Sequence, residues 1–286
     1  MLRHEVMGTG EPLVLVHGLT HRRQAWYPVV EHLLAHRQVI LIDLPGHGES
    51  PDLVTDARPV QDVIRDELVA LMDHLGLDRP HIAGNSLGGR VALEAAADGL
   101  VRSATALSPA GFWKGPLDFA YTRALFATTS TVARLAAPII PTLARSVAGR
   151  AALCGWIVAH PSRLSPEQVT ADARAMVRAL PAMRTIFPQA VGFDRPIPGG
   201  IPVTVAWAER DAVLPPYQGR RAAAQLPAAS HVVMSGCGHV PMTDDPALVA
   251  SVLLQGSPAG LLDAPDASPA RPWPLTRRAG DASAAS

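Results

Sequence analysis

Lysine is almost missing from this chain of 286 residues: Lys114 stands alone, and every other basic side chain is arginine. With alanine and proline abundant, this reads as the codon bias of a GC-rich genome and points to no function. Charged residues make up only 17%, and 25 basic residues balance 25 acidic ones to a formal net charge of zero. No long-range field therefore draws the chain to nucleic acid or to an anionic membrane, and neither is expected as a partner. Cysteine is scarce as well. Cys154 and Cys237 lie far apart and match no metal spacing, which predicts free thiols in a reducing compartment. No apolar run is long enough to span a bilayer, and the start at Met1-Leu2-Arg3-His4-Glu5 carries no leader-like segment. The expectation is a cytoplasmic protein without a membrane span.

What the chain does have is apolar bulk, 48% of its residues, enough for one large core with an inserted subdomain. Leu13 to Val16 and Val39 to Ile42 are short, wholly apolar runs, each ended by a polar residue, and read as buried strands of a mostly parallel sheet. Between them Trp26, Val29, Val30, Leu33 and Leu34 recur at helical spacing. Val60, Val63, Ile64, Leu68, Leu71, Met72 and Leu75 do so in the next segment. Further strands are expected at Pro80 to Ala83 and Ser103 to Leu107, with a helix from Arg90 to Ala97 between them. This alternation predicts an α/β fold with a doubly wound sheet.

After Gly111 the alternation stops. Residues 112–198 read as helices broken by prolines, an inserted helical cap. Alternation resumes with a strand at Val203 to Ala206, a helix near Tyr217 to Leu226, a strand at His231 to Met234 and a helix from Pro246 to Leu254. The core is thus expected in two pieces, 1–111 and 199–256. Residues 257–286, rich in Pro, Ala, Ser and Asp, are expected to form a flexible tail.

The densest chemical signal is Gly84-Asn85-Ser86-Leu87-Gly88, between a predicted strand and a predicted helix. A serine there sits on a sharp, strained turn that lifts its hydroxyl clear of the sheet, a nucleophile elbow. A serine hydroxyl needs a base, and the base needs an orienting acid. Asp211, in the loop after the strand ending near Trp207, is the candidate acid, with Glu209 its competitor. His239, between glycine-flanked Cys237 and Pro241, is the candidate base. Backbone N–H groups of Leu19 and Leu87 are candidate oxyanion donors. The Asp43 to Ser50 turn lacks the lysine of a phosphate loop and reads as structural. His17 with His21 completes no metal-ligand set, so no metal or other cofactor is expected.

Together, His17-Gly18, the Asp43 to Ser50 turn, Gly84 to Gly89, Asp211 and Gly238-His239 resemble the α/β-hydrolase family over about residues 13–254. The resemblance implies Ser86 as nucleophile, Asp211 as orienting acid, His239 as base, and a helical lid over 112–198. Family members with a serine elbow are mostly ester hydrolases, whereas epoxide hydrolases and haloalkane dehalogenases carry an aspartate there. The implied substrate is a small, apolar carboxylic ester. Alternatives are a thioester or a carbon–carbon bond on the same triad, the latter disfavoured by Val240 where ring-fission hydrolases often carry tryptophan. A non-hydrolytic small-ligand receptor of the same fold is the alternative of another class. Phe112, Trp113, Phe119, Phe126, Trp156, Met176 and Met183 are the candidates to line the pocket.

Overall fold

The computed structural model describes residues 1–260. Seven strands form one sheet: β1 His4–Met7, β2 Pro12–Val16, β3 Gln38–Ile42, β4 His81–Asn85, β5 Ser103–Leu107, β6 Val203–Ala208 and β7 Ser230–Met234. Their order across the sheet is β1-β3-β2-β4-β5-β6-β7. Only β1 runs antiparallel, against β3; the other pairs are parallel. Residues of β4, β5 and β6 are buried throughout, the consequence of helices covering both faces of parallel strands. β7, an edge strand, is largely exposed.

Helix Val60–His74 packs on helix Leu87–Ala97, and the short Tyr27–Val30 turn packs on helix Pro246–Gly256, while Leu87–Ala97 and Pro246–Gly256 both touch β5. The sheet is therefore doubly wound. Order reverses at its centre, where β2 leads outward to β3 and β4 sits on its other side. Loops leaving the carboxyl ends of strands around such a reversal surround a crevice, the usual place for a ligand in an open α/β sheet.

The segment after β2 differs from the expected continuous helix. It forms a 3-10 turn, Arg23–Trp26, then a single helical turn, Tyr27–Val30, and continues in turns. His32 and His36 donate to carbonyls three residues back, Val29 and Leu33, at 3.1 and 2.9 Å, so the segment tightens instead of propagating. Trp26, Val29, Val30 and Leu33 are nonetheless buried, and Leu34 is exposed. The periodicity reported burial correctly at four of the five positions and regularity incorrectly.

Between β5 and β6 lie the helices Pro116–Leu135, Ile140–Leu143, Val147–Cys154, Pro166–Arg178 and Leu180–Ile186. Pro116, Pro141, Pro166 and Pro181 occupy the first or second helical position of their helices. They open helices there because their missing N–H would be unpaired in any case. Ser165 and Gln168 close a capping box at the start of Pro166–Arg178. The ordered core also runs past the boundary expected at residue 256. Ser257 is buried, donates to Leu253 O at 2.8 Å, and receives Arg37 Nε at 3.3 Å. The rest of the expected tail, 261–286, lies outside the described residues.

Candidate active site

At the end of β4, Ser86 adopts φ 58° and ψ −113°, a conformation that costs a residue with a side chain about 1–3 kcal/mol. The flanking glycines make the turn possible. A Cβ on Gly84 would collide with the backbone of Gly88, and one on Gly88 with the carbonyls of Val16 and His17. Ser86 N donates to Leu107 O at 2.9 Å, and Ser86 O accepts from Arg90 N at 3.0 Å and Ala110 N at 3.1 Å, so neighbouring elements hold the strained residue.

His239 Nδ1 lies 2.8 Å from Asp211 Oδ2. Both side chains are buried. The other Asp211 oxygen accepts from Val213 N at 2.9 Å and Leu214 N at 2.7 Å, which fixes the carboxylate and leaves one oxygen for the imidazole. As that carboxylate accepts the Nδ1 proton, Nε2 is left as the basic nitrogen. Nε2 is buried without a hydrogen-bond partner among the described residues. Glu209, the competing acid, instead accepts from Gly236 N at 2.8 Å and braces the loop that leads to His239.

Two positioning residues escaped the sequence reading. Asn85 Nδ2 donates to His239 O at 2.8 Å and to Leu107 O at 3.2 Å, tying the histidine loop to the elbow next to Ser86. Asp244 accepts from Gly238 N at 2.8 Å, Ala159 N at 2.9 Å and His160 N at 2.7 Å, joining that loop to the inserted helices. Asn85 fills the unspecified position of the elbow pattern, and the partners of Asp244 are distant in sequence. Neither carries a local signal.

Leu19 and Leu87 border the same cavity as Ser86. The loop bearing Leu19 is held from below. His17 Nε2 accepts from Leu44 N at 3.0 Å while Nδ1 donates to Gly18 O at 2.8 Å, so the ring is neutral, and burial holds its pKa well below the usual histidine range. Its neighbour His47, with ring centroid 5.3 Å away, is pushed down to about 4, chiefly by burial. Asp43 accepts from Arg23 N at 2.6 Å, Arg23 Nη1 at 2.5 Å and Glu49 N at 3.0 Å. Gly48, with φ 49°, lets the turn close over that carboxylate, where a Cβ would collide with it. The Asp43 to Ser50 turn is thus a brace for the loop beside Ser86.

Above Ser86 lies a cavity of about 80 Å³, walled largely by Trp113, Phe119, Phe126, Ile186, Phe187 and Leu214. A larger one, about 460 Å³, adjoins it and is bordered by Thr20, His21, Trp156, Met176 and Val240. Phe126 faces the first and Trp156 the second, and their rings meet edge to face at 5.7 Å, so the pair forms a partition. Five of the seven anticipated lining residues therefore border a cavity. Phe112 instead packs against Trp207 and Phe193, at 6.1 and 6.0 Å between centroids, and Met183 is buried away from both cavities.

A profile of the alpha/beta hydrolase family matches residues 13–252. The chain belongs to the alpha/beta hydrolase family. Over 81 residues it is 43% identical to an (E)-2-((N-methylformamido)methylene)succinate hydrolase of Acinetobacter baylyi, a match spanning 28% of this chain and 30% of that protein. With an epoxide hydrolase of Mycobacterium tuberculosis it shares 29% identity over 198 residues, 67% of this chain and 92% of the relative. Among solved structures, the enol-lactonase of Burkholderia xenovorans superposes with a TM-score of 0.67 at 20% identity, covering 90% of this chain and 96% of that one. A thermophilic esterase of Thermogutta terrifontis gives 0.64 at 22% identity, covering 89% and 92%. These structures share the fold of this alpha/beta hydrolase. No helix among its described residues is long and apolar enough to cross a membrane.

Proposed function

We propose that the chain is a cofactor-free serine hydrolase of small carboxylic esters, with Ser86 as nucleophile, His239 as base and Asp211 as the acid that orients it. The observation that carries this reading is the 2.8 Å bond from Asp211 to His239 Nδ1, with His239 Nε2 left unpartnered and its loop pinned by Asn85 to the elbow of strained Ser86. Serine at the elbow also favours an acyl-enzyme over the aspartate chemistry associated with epoxide opening.

In this reading His239 Nε2 takes the Ser86 proton as Oγ attacks the ester carbonyl. The Leu19 and Leu87 N–H groups hold the developing oxyanion. The tetrahedral intermediate collapses with cleavage of the acyl C–O bond, and the leaving oxygen takes the proton from Nε2. Water then enters, gives a proton to Nε2 and adds to the acyl carbon; collapse returns that proton to Ser86 Oγ and frees the carboxylic acid. The helices between β5 and β6 act as a lid whose aromatic residues exclude bulk water from the oxyanion.

Hydrolysis of short- and medium-chain nitrophenyl esters by wild type and by Ser86→Ala tests the proposal. Turnover that depends on Ser86 supports it. A protein without Ser86-dependent turnover on any of them is not an ester hydrolase of this kind.

A further inference from the structure

The zero net charge is that of the whole chain, and it is unevenly spread. Between Asp118 and Glu167 there is no acidic residue, yet Arg123, Arg134, Arg145, Arg150 and Arg163 fall in that stretch. Arg150 is buried and donates to the carbonyls of Ala144 and Arg145, at 2.9 and 3.3 Å. Arg123, Arg134 and Arg145 are exposed instead, and they enter no ion pair among the described residues. Asp118, the acid at the start of the stretch, already accepts from Lys114 N at 2.8 Å and from the Tyr217 hydroxyl. One side of the inserted helices therefore carries uncompensated positive charge.

The same stretch exposes apolar bulk. Half of the large apolar side chains left exposed among the described residues lie between Leu117 and Val147. Leu117 and Leu135, 88% and 71% exposed, stand about five turns apart on one face of helix Pro116–Leu135, with Val132 beside Leu135. The chain continues through Ile139, Leu143 and Val147, all exposed, while Ile140 and Ala144 turn inward. The inward side packs on helix Pro166–Arg178. An apolar face left uncovered along three consecutive helices marks a surface of contact.

Charge decides among the occupants. A second copy docked through the same face would set Arg123, Arg134 and Arg145 against their own equivalents, and facing like charges oppose association. An anionic lipid surface meets both features at once. Its phosphates lie where the guanidinium groups end, and the acyl layer beneath accepts side chains such as Leu135 and Ile139, the arrangement of a helix lying in a membrane interface. The place of this face relative to the cavities agrees. Val132 is half exposed and also borders the larger cavity, and Arg174 shares a smaller pocket with Ala133, Ala137 and Ile140. A lipid surface seated on this face thus lies against the wall of the larger cavity, with a further basic side chain beside it.

We propose that the face running from Leu117 to Val147 docks on anionic lipid surfaces, with Arg123, Arg134 and Arg145 at the phosphates and Leu135, Ile139 and Leu143 in the acyl layer. The proposal does not depend on which bond Ser86 cleaves. Co-sedimentation of the full chain with vesicles tests it, using phosphatidylcholine alone and an equal mixture of phosphatidylcholine and phosphatidylglycerol. At low salt, partition into the anionic vesicles is expected to exceed that into the neutral ones by roughly tenfold or more, and to fall toward it as salt is raised. Replacing both Arg134→Gln and Arg145→Gln should remove most of that excess. Replacing both Leu135→Ser and Ile139→Ser should lower binding to the anionic vesicles by about tenfold or more. All four side chains are exposed, so both variants should unfold at the wild-type temperature, and a loss of binding is then not a loss of fold. Absence of binding to either vesicle, equal partition into the two, or binding unchanged in both variants overturns the proposal. So does a wild-type dimer in sedimentation velocity that the double serine variant dissolves, because the face would then belong to a second copy.

Discussion

The two cavities share one partition, Phe126 against Trp156, yet their walls differ in kind. Over Ser86 the wall is mainly aromatic and aliphatic. Beyond the partition the inserted helices supply an apolar side, and the segment after β2 brings Thr20, His21, Arg22 and Gln24 to the other. The difference is one of polarity. Apolar walls strengthen any hydrogen bond made beside Ser86, and polar walls discriminate among groups by what they can pair with.

The largest expected effect removes the chemistry that both cavities serve. Ser86→Ala should lower kcat on every ester by about 10⁴-fold or more, without regard to which part of the substrate fills which cavity. Asp211→Asn should follow with a loss of about 10³–10⁴-fold, because an amide at Oδ2 favours the wrong tautomer of His239. Its test is whether the loss is uniform across acyl and alcohol series, as expected for a group that acts through the imidazole alone.

The partition itself is broken by Phe126→Ala. Loss of this buried ring should cost about 4 kcal/mol of stability, measured by denaturant unfolding. By merging the cavities it should also shift preference toward longer acyl chains, seen in a nitrophenyl ester series. An unchanged chain-length profile in a folded variant would mean that the two cavities are not divided there.

A smaller effect bears on the brace under the Ser86 side. Burial depresses His17, and holds His47 at about 4 against an ordinary value of 6.5. The unfolded chain takes up these protons first, so stability is full above about pH 6.5 and is lost as pH falls toward 4. His47 alone accounts for roughly 3 kcal/mol of this loss when fully expressed. Unfolding followed from pH 7 to pH 4 should show the decline, and His47→Gln should flatten it.

Much of the fold was legible because it is written locally. β5 spans the five residues expected, Ser103–Leu107, and the elbow declares itself through glycines that no other residue can replace without collision. The pairing of Asp211 with His239 followed from the order of strand-end loops. What escaped was set by partners far along the chain: Asn85 reaching the His239 carbonyl, Asp244 reaching Ala159 and His160, and Phe112 turning into the core against Trp207. The 3-10 turns after β2 escaped for another reason, since helical periodicity records which residues are buried and not how the backbone closes between them.

The central claim is that Ser86 is a nucleophile activated by His239. Intact-mass analysis after exposure to a fluorophosphonate measures it most directly. One phosphonate per chain, mapped to Ser86 and lost in Ser86→Ala, is the predicted result. A wild-type chain that stays unlabelled, or a label that persists in Ser86→Ala, would contradict it.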